Sequence, residues 1–388
     1  MTEKEEQSQE LSESIYEDIG ADAFEGRYNA SIRKKVVFLI ALVITSAIAL
    51  LLGVCLGSVD IPFIDVIRVF LHPILPGIVS EPSMPYYSDF IWKGRMPRMV
   101  LIIMVGFSLG ISGMMMQGLL RNPLVSPFTL GVSTAASFGA ALAIVVAPLI
   151  FGEAVDIHFT VANSYFSFED IIRILCAFVI AMISVAIILM MARGKNVSRS
   201  SVILSGVVIS YLFQAGIMAA KYFSDEEQLK EITLWIMGSL SGATWGIDFI
   251  LAPIVILCSL LLFKMSMDLN ALSAGDDLAS SLGVDVAKLR RNGMILCTLL
   301  TAVCLAFTGV IGFIGLMAPH ICRMIIGNDA RYLMPASALM GVTILSISDL
   351  FCRLIMRPGE LPVSIVLYVV GGLFFVWMIS NRRWSSKL

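Results

Sequence analysis

From Val36 onward the chain alternates long, predominantly apolar runs with short polar breaks. Ten runs reach or approach the roughly 20 residues a helix needs to cross a hydrocarbon core. They lie at about 36–57, 97–120, 127–150, 171–192, 202–222, 245–263, 292–310, 311–326, 333–352 and 362–380. The seventh and eighth form one continuous apolar stretch, which becomes two helices only if the chain breaks among Gly309, Gly312 and Gly315. Small residues also recur at near-helical spacing in the second run, where Gly106, Gly110 and Gly113 share a strip with Ser108 and Ser112 beside it. Such strips let helix backbones approach closely in lipid, so they predict tight packing.

Composition sharpens this picture. With 58% hydrophobic and 14% charged residues and a mean hydropathy of +0.89, 388 residues cannot be enclosed by a polar surface, and the solvent must be lipid. The first stretch is a different material: residues 1–35 form an acidic tail, with nine acids up to Glu25 against Lys4 and Arg27. It holds too little apolar area to offset its ordering entropy and is expected to be mobile or weakly helical. It is not a signal peptide, because it lacks a positive start and the apolar run behind it is late and long. Residues 36–388 are read as one membrane domain. Without the tail 25 Lys and Arg remain (27 minus 2), and a cytoplasmic N-terminus places sixteen of them on the cytoplasmic side and nine outside. An even number of helices then puts the C-terminus in the cytoplasm as well.

Candidate chemistry is sparse. The seven cysteines form no Cys-x-x-Cys and read as small packing residues. His72, His158 and His320 show no metal spacing, so no metal or other cofactor is expected, and His320 reads as a helix-end cap. Gly194-Lys195 has neither the upstream glycine nor the following hydroxyl of a phosphate-binding loop, so ATP hydrolysis must reside on another chain. Nothing suggests nucleic-acid binding. The polar loop 271–291 holds Gly275, Asp276, Asp277, Leu278, Ala279, Ser280, Ser281, Leu282 and Gly283. An aspartate can cap a short helix there and Gly283 suits its stop, giving a small helix that could plug a partner's groove.

Several motifs in order carry a resemblance. They are Arg95-Met96-Pro97-Arg98, Gln117 to Leu124 with Leu130 to Ser133, Trp235 to Gly242, the Gly275 to Gly283 loop, Gly312 to Leu316 with Pro319-His320, Leu333-Met334-Pro335, Asp349 to Arg353, and Glu360 to Val363. Together they resemble the permease subunits of ATP-binding-cassette (ABC) importers for vitamin B12, haem and ferric siderophores, the FecCD-type family of type II importers. The resemblance covers about residue 36 to the end.

It implies an all-α polytopic membrane protein of about ten transmembrane helices per protomer, with the type II permease fold. The protomer would pair as a homodimer around the translocation path in the cell membrane, with two ATPase subunits on the cytoplasmic side and a substrate-binding protein outside. Matching the family's motifs, Arg95, Arg98 and Arg353 would receive acidic side chains of the binding protein, although Asp349 and Arg353 also stand at i,i+4 and could pair within the chain. Residues 275–283 would couple to the ATPases, and Asn122, Pro123 and Leu124 with Ser198 and Ser200 would form gate segments. The cargo would be an iron chelate, haem or corrinoid. The alternative, an ion-coupled secondary transporter, expects ionisable groups near the bilayer midplane, whereas Lys221, Asp349 and Arg353 cluster near helix ends. Two features depart from the family pattern, the long acidic tail and an apparent insertion at 151–169 with the aromatic run Tyr165-Phe166-Ser167-Phe168.

Overall fold

The computed structural model describes residues 3–57, 59–152, 157–161, 164–191 and 199–381, with side chains from residue 26 except 27, 161, 164 and 199. The order of elements is α1 (Glu3–Cys55), α2 (Phe63–Leu71), α3 (Tyr86–Asp89), a π-helical turn (Phe90–Arg95), α4 (Met96–Leu120) and α5 (Val132–Phe151). A hairpin of β1 (His158–Val161) and β2 (Ser164–Ser167) leads into α6 (Phe168–Met191), α7 (Arg199–Phe223), α8 (Glu226–Ile236) and α9 (Trp245–Lys264). The rest is α10 (Ser266–Ser273), α11 (Asp276–Ser281), α12 (Val286–Thr308), α13 (Ile314–Ile326), α14 (Ala330–Ile355) and α15 (Val363–Ser380).

Among the described residues nine helices are long and apolar enough to span a membrane, and α13, of 13 residues, is a shorter apolar helix. The expected ten thus resolve into nine spans and one short helix. The cause is the break after α12, where Gly309 (φ 68°) ends one helix and Phe313 (φ 65°) precedes the next. Five residues of irregular backbone lie between, and neighbours supply partners at the break: Ser239 N–H donates to the carbonyl of Thr308, the last residue of α12 (2.8 Å), and the Ser364 hydroxyl to the Val310 carbonyl (2.5 Å). In lipid such backbone is tolerated only where protein supplies its partners.

α4 is the hub, with 83% of its most apolar window buried. Its glycine strip packs as expected: a Cβ on Gly106 would come within 2.7 Å of Val342 Cα, one on Gly110 would strike the Ser337 carbonyl, and one on Gly113 the Gly315 carbonyl. α14 and α13 lie against this strip, α12 and α9 against other faces of α4, and α1 against α14. α5 packs on α6 and α7 as a second layer.

The connections sort onto two faces. One, called here the N-terminal face, gathers the loops after α4, α9, α10 and α13 with the start of the first span, as the Lys35–Asp329 (3.3 Å) and Arg290–Asp276 (2.8 Å) ion pairs show. The far face carries residues 56–57 and 59–95, the hairpin, α8 and the loop before α15, joined by Arg357–Asp60 (2.8 Å) and by Trp245 Nε1 donating to the Trp92 carbonyl (2.7 Å). The apparent insertion at 151–169 contains the antiparallel β1–β2 hairpin, pairing His158 with Ser167 and Phe159 with Phe166. Asp225 starts α8 with a capping box: it accepts from Gln228 N–H at 2.8 Å, and the Gln228 side chain accepts from Asp225 N–H.

Candidate functional site

On the far face three arginines converge where α1, α4 and α14 end or begin. Arg95 is buried in the last π-helical turn and donates to the carbonyls of Val54, Cys55 and Val59. Arg353 donates to those of Gly53 (3.0 Å) and Leu56 (3.2 Å). Together they satisfy the orphan carbonyls at the C-terminal end of α1, where cations are also favoured by the helix dipole. Gly53 and Gly57 make room, since a Cβ at either would lie 3.1–3.3 Å from an Arg353 guanidinium nitrogen.

Arg98, in the first turn of α4, is held between two acids. Its Nε and Nη2 donate to Asp349 Oδ1 (3.0 and 2.7 Å), and its Nη1 to both oxygens of Glu360 (2.9 and 2.8 Å). Asp349 is fully enclosed, and its other oxygen lies 3.0 Å from Arg353 Nε, the i,i+4 pair within α14. The three arginines therefore all have partners within the chain. Their exposure differs: Arg353 and Asp349 side chains are 4% and 1% exposed, Arg98 is 12% and Glu360 31%. Only the Arg98–Glu360 contact opens to solvent.

On the N-terminal face the loop expected to couple to the ATPases folds as the short α11. Gly275 (φ 136°) precedes it and Gly283 (φ 87°) follows, the glycine stop expected from sequence. The cap differs, because Asp276 and Asp277 occupy the first turn and no side chain caps it. Asp276 instead receives Arg290 Nη2 at 2.9 and 2.8 Å, and Arg121 lies 3.9 Å away. Arg290 also donates from Nε to the Leu119 carbonyl (3.2 Å), which ties α11 to the end of α4. Ala279 faces inward, whereas Leu278 and Leu282 stand outward, 52% and 66% exposed.

The end of α4 leads directly into the expected gate segment. Arg121 closes the helix in a left-handed conformation (φ 47°), and Asn122 Oδ1 accepts from Leu124 N–H (2.9 Å), so residues 121–124 form a tight polar turn with Leu124 exposed. Ser200 is exposed in the first turn of α7, and Ser198 lies outside the described residues. His320 is no cap: it is buried within α13, with its ring 6.3 and 6.0 Å from those of Phe374 and Phe375. All seven cysteines are free and six are buried. Among the described residues no three His, Cys, Asp or Glu side chains gather as a metal site.

Sequence reasoning missed Glu360 as a partner of Arg98, and Arg323, which donates to Gln117 Oε1 (2.8 Å) across 206 residues. Neither pairing has a local signal. Glu360 does stand directly before the Leu361-Pro362 that precedes α15.

The sequence profile described as the FecCD transport family matches residues 42–381. The chain belongs to the FecCD transport family. This FecCD chain is 37% identical over 357 residues to a protein of Methanocaldococcus jannaschii named an ABC transporter permease, a match that covers 91% of this chain and 97% of the relative. It is 34% identical over 294 residues to the hemin transport system permease HmuU of Yersinia pestis (76% of this chain, 84% of the relative). A solved structure described as an inward-facing conformation of a metal-chelate type ABC transporter superposes with a TM-score of 0.73 at 27% identity, covering 88% of this FecCD chain and 98% of the other. The protein is thus a multi-pass membrane permease of ABC import, and the secondary-transporter alternative is not favoured.

Proposed function

We propose that the protein, as a homodimer in the cytoplasmic membrane, forms the path by which a metal chelate or corrinoid is imported. Relatives named for hemin, vitamin B12 and ferric citrate transport support that cargo class. Separate ATPase subunits dock on the N-terminal face, which is cytoplasmic together with both termini, and a substrate-binding protein docks on the far face. The chain itself holds no cofactor; its contribution is two pore conformations whose populations the nucleotide cycle shifts.

The observation that carries this reading is the opposition of two kinds of surface. A small helix with outward Leu278 and Leu282, strutted by Arg290 to the end of α4, stands on one face. A guanidinium cluster with one solvent-accessible carboxylate contact stands on the other. A groove in an ATPase suits the first, and acidic side chains of a binding protein suit the second. Arg98 would make the direct contact, while Arg95 and Arg353, enclosed behind it, would hold the end of α1 and lend positive potential. The residues 121–124 turn, joined through Leu119 and Arg121 to the coupling helix, is the gate element best placed to move with it.

Reconstitution with the candidate ATPase and binding protein tests this. Loaded binding protein should stimulate ATP hydrolysis and drive uptake into vesicles. Arg98→Glu should weaken binding-protein docking by about tenfold or more, as loss of an interfacial charge pair implies, with the permease–ATPase complex still assembled. Normal docking by that variant would remove Arg98 from the interface.

A further inference from the structure

A cavity of about 430 Å³ lies between α5, α7 and α15, lined also by Ile236 at the end of α8 and by Val310 in the irregular segment after α12. Its polar lining is Ser133, Thr134 and Ser137 from α5, Gln214 and Lys221 from α7, and Tyr368 from α15. No aspartate or glutamate lines it. Lys221 sits in the last turn of α7 and, among the described residues, forms no ion pair. The nearest acids in sequence, Asp225 to Glu227, belong to the first turn of α8, where Asp225 is engaged as its cap.

A lysine at the water boundary can simply reach out to solvent. Here the lysine lines a cavity whose polar wall is made of hydroxyls and an amide, all neutral, beside the apolar Ile217, Met218, Ile236 and Val310. Half-buried Lys221 has no acidic partner among the described residues, and an anion entering the cavity would supply the missing counter-ion. Those groups complement a carboxylate-bearing guest: one charge for the ammonium, and lone pairs for the Tyr368 hydroxyl, the Gln214 amide and the serines. The candidate cargoes differ in this property. Haem carries two propionates and ferric citrate complexes are anionic, whereas cyanocobalamin is neutral overall.

We propose that this cavity is a holding site on the far side of the path for an anionic, carboxylate-bearing chelate, and that Lys221 favours such cargo over neutral cargo. The inference rests on the import reading above and deepens it by naming the charge class of the cargo.

The test uses the complete importer in proteoliposomes with haem, ferric dicitrate and cyanocobalamin as probes, comparing the wild type with Lys221→Met, Lys221→Glu and Lys221→Arg. The wild type should import one of the two anionic probes. Lys221→Met should lower that uptake by about tenfold, the worth of one partly desolvated charge contact, and Lys221→Glu should lower it further. Lys221→Arg should restore most of it, which separates lost charge from a folding defect. Import of cyanocobalamin alone would overturn the charge class, and wild-type uptake of an anionic probe by Lys221→Met would overturn the role of Lys221. Failure of all three probes, with ATP hydrolysis unresponsive to each, would instead remove the import reading and this inference with it.

Discussion

At the scale of the residue, the least replaceable positions are the smallest ones. Gly113 meets the backbone of Gly315 with no space for a methyl group, and the obstacle is a carbonyl rather than a side chain that could rotate away. Gly113→Ala should therefore cost about 1–3 kcal/mol, as overpacking does, and lower the melting temperature in detergent. Gly242→Ala, at a glycine with open space around it, serves as the control. Asp349 is the second sensitive residue. It is enclosed between Arg98 and Arg353, so Asp349→Ala leaves two guanidinium groups facing one another, and such a loss costs about 3–5 kcal/mol in a buried network. Thermal denaturation of the purified permease would show it, and an unchanged melting point would mean that water replaces the carboxylate without penalty.

At the scale of the element, α11 acts through one strut. Arg290 holds Asp276 of α11 and the Leu119 carbonyl of α4 at once, so a displacement of the short helix would be passed to the helix that ends in the proposed gate turn. Arg290→Gln should leave the ATPases bound but lower transport per ATP hydrolysed, whereas Leu282→Asp should weaken ATPase docking itself, because it charges the outward apolar face. Measuring docking and coupling separately distinguishes the two. The loop before α14 supplies a pH test. Arg331, with Asn270 and Lys35 behind it, holds the Asp329 carboxyl well below its ordinary value of 3.8. A carboxyl so depressed contributes stability that is complete above the ordinary value and drains away as pH falls toward the folded value. Asp329→Asn should thus melt lower than the wild type at pH 7, and the gap should narrow below pH 3.8.

At the scale of the whole molecule, lipid made most of the helices legible. A span must satisfy its backbone internally and present apolar side chains for about 20 residues, so its extent is written into one contiguous run. The expected 245–263 and 362–380 meet helices at Trp245–Lys264 and Val363–Ser380 for this reason. The elements outside that constraint were less legible. The segment from α2 to the π-helical turn has no apolar run of spanning length, and the hairpin carries only eight paired residues. The cap of α8 was readable in Asp225 to Gln228, whose spacing is that of a capping box. Arg95, Arg98 and Arg353 were readable as a motif but not as a geometry, since the partners of Arg98 lie 251 and 262 residues away.

The sequence by itself determined that this protein lives in lipid, where most of its spans begin and end, that Gly106, Gly110 and Gly113 mark close helix contacts, and which motifs place it among the FecCD permeases. Each of these is local: a run, a spacing or a short word in the chain. Only the tertiary structure decided that Arg95 and Arg353 hold the end of α1 while Arg98 alone keeps a solvent-facing carboxylate contact, that Arg290 links α11 to the end of α4, and that Lys221 shares a cavity with Tyr368 and no acid. Those facts depend on which side chains meet across hundreds of residues. A hydrophobic pattern fixes which face of a helix is buried and leaves open what it is buried against.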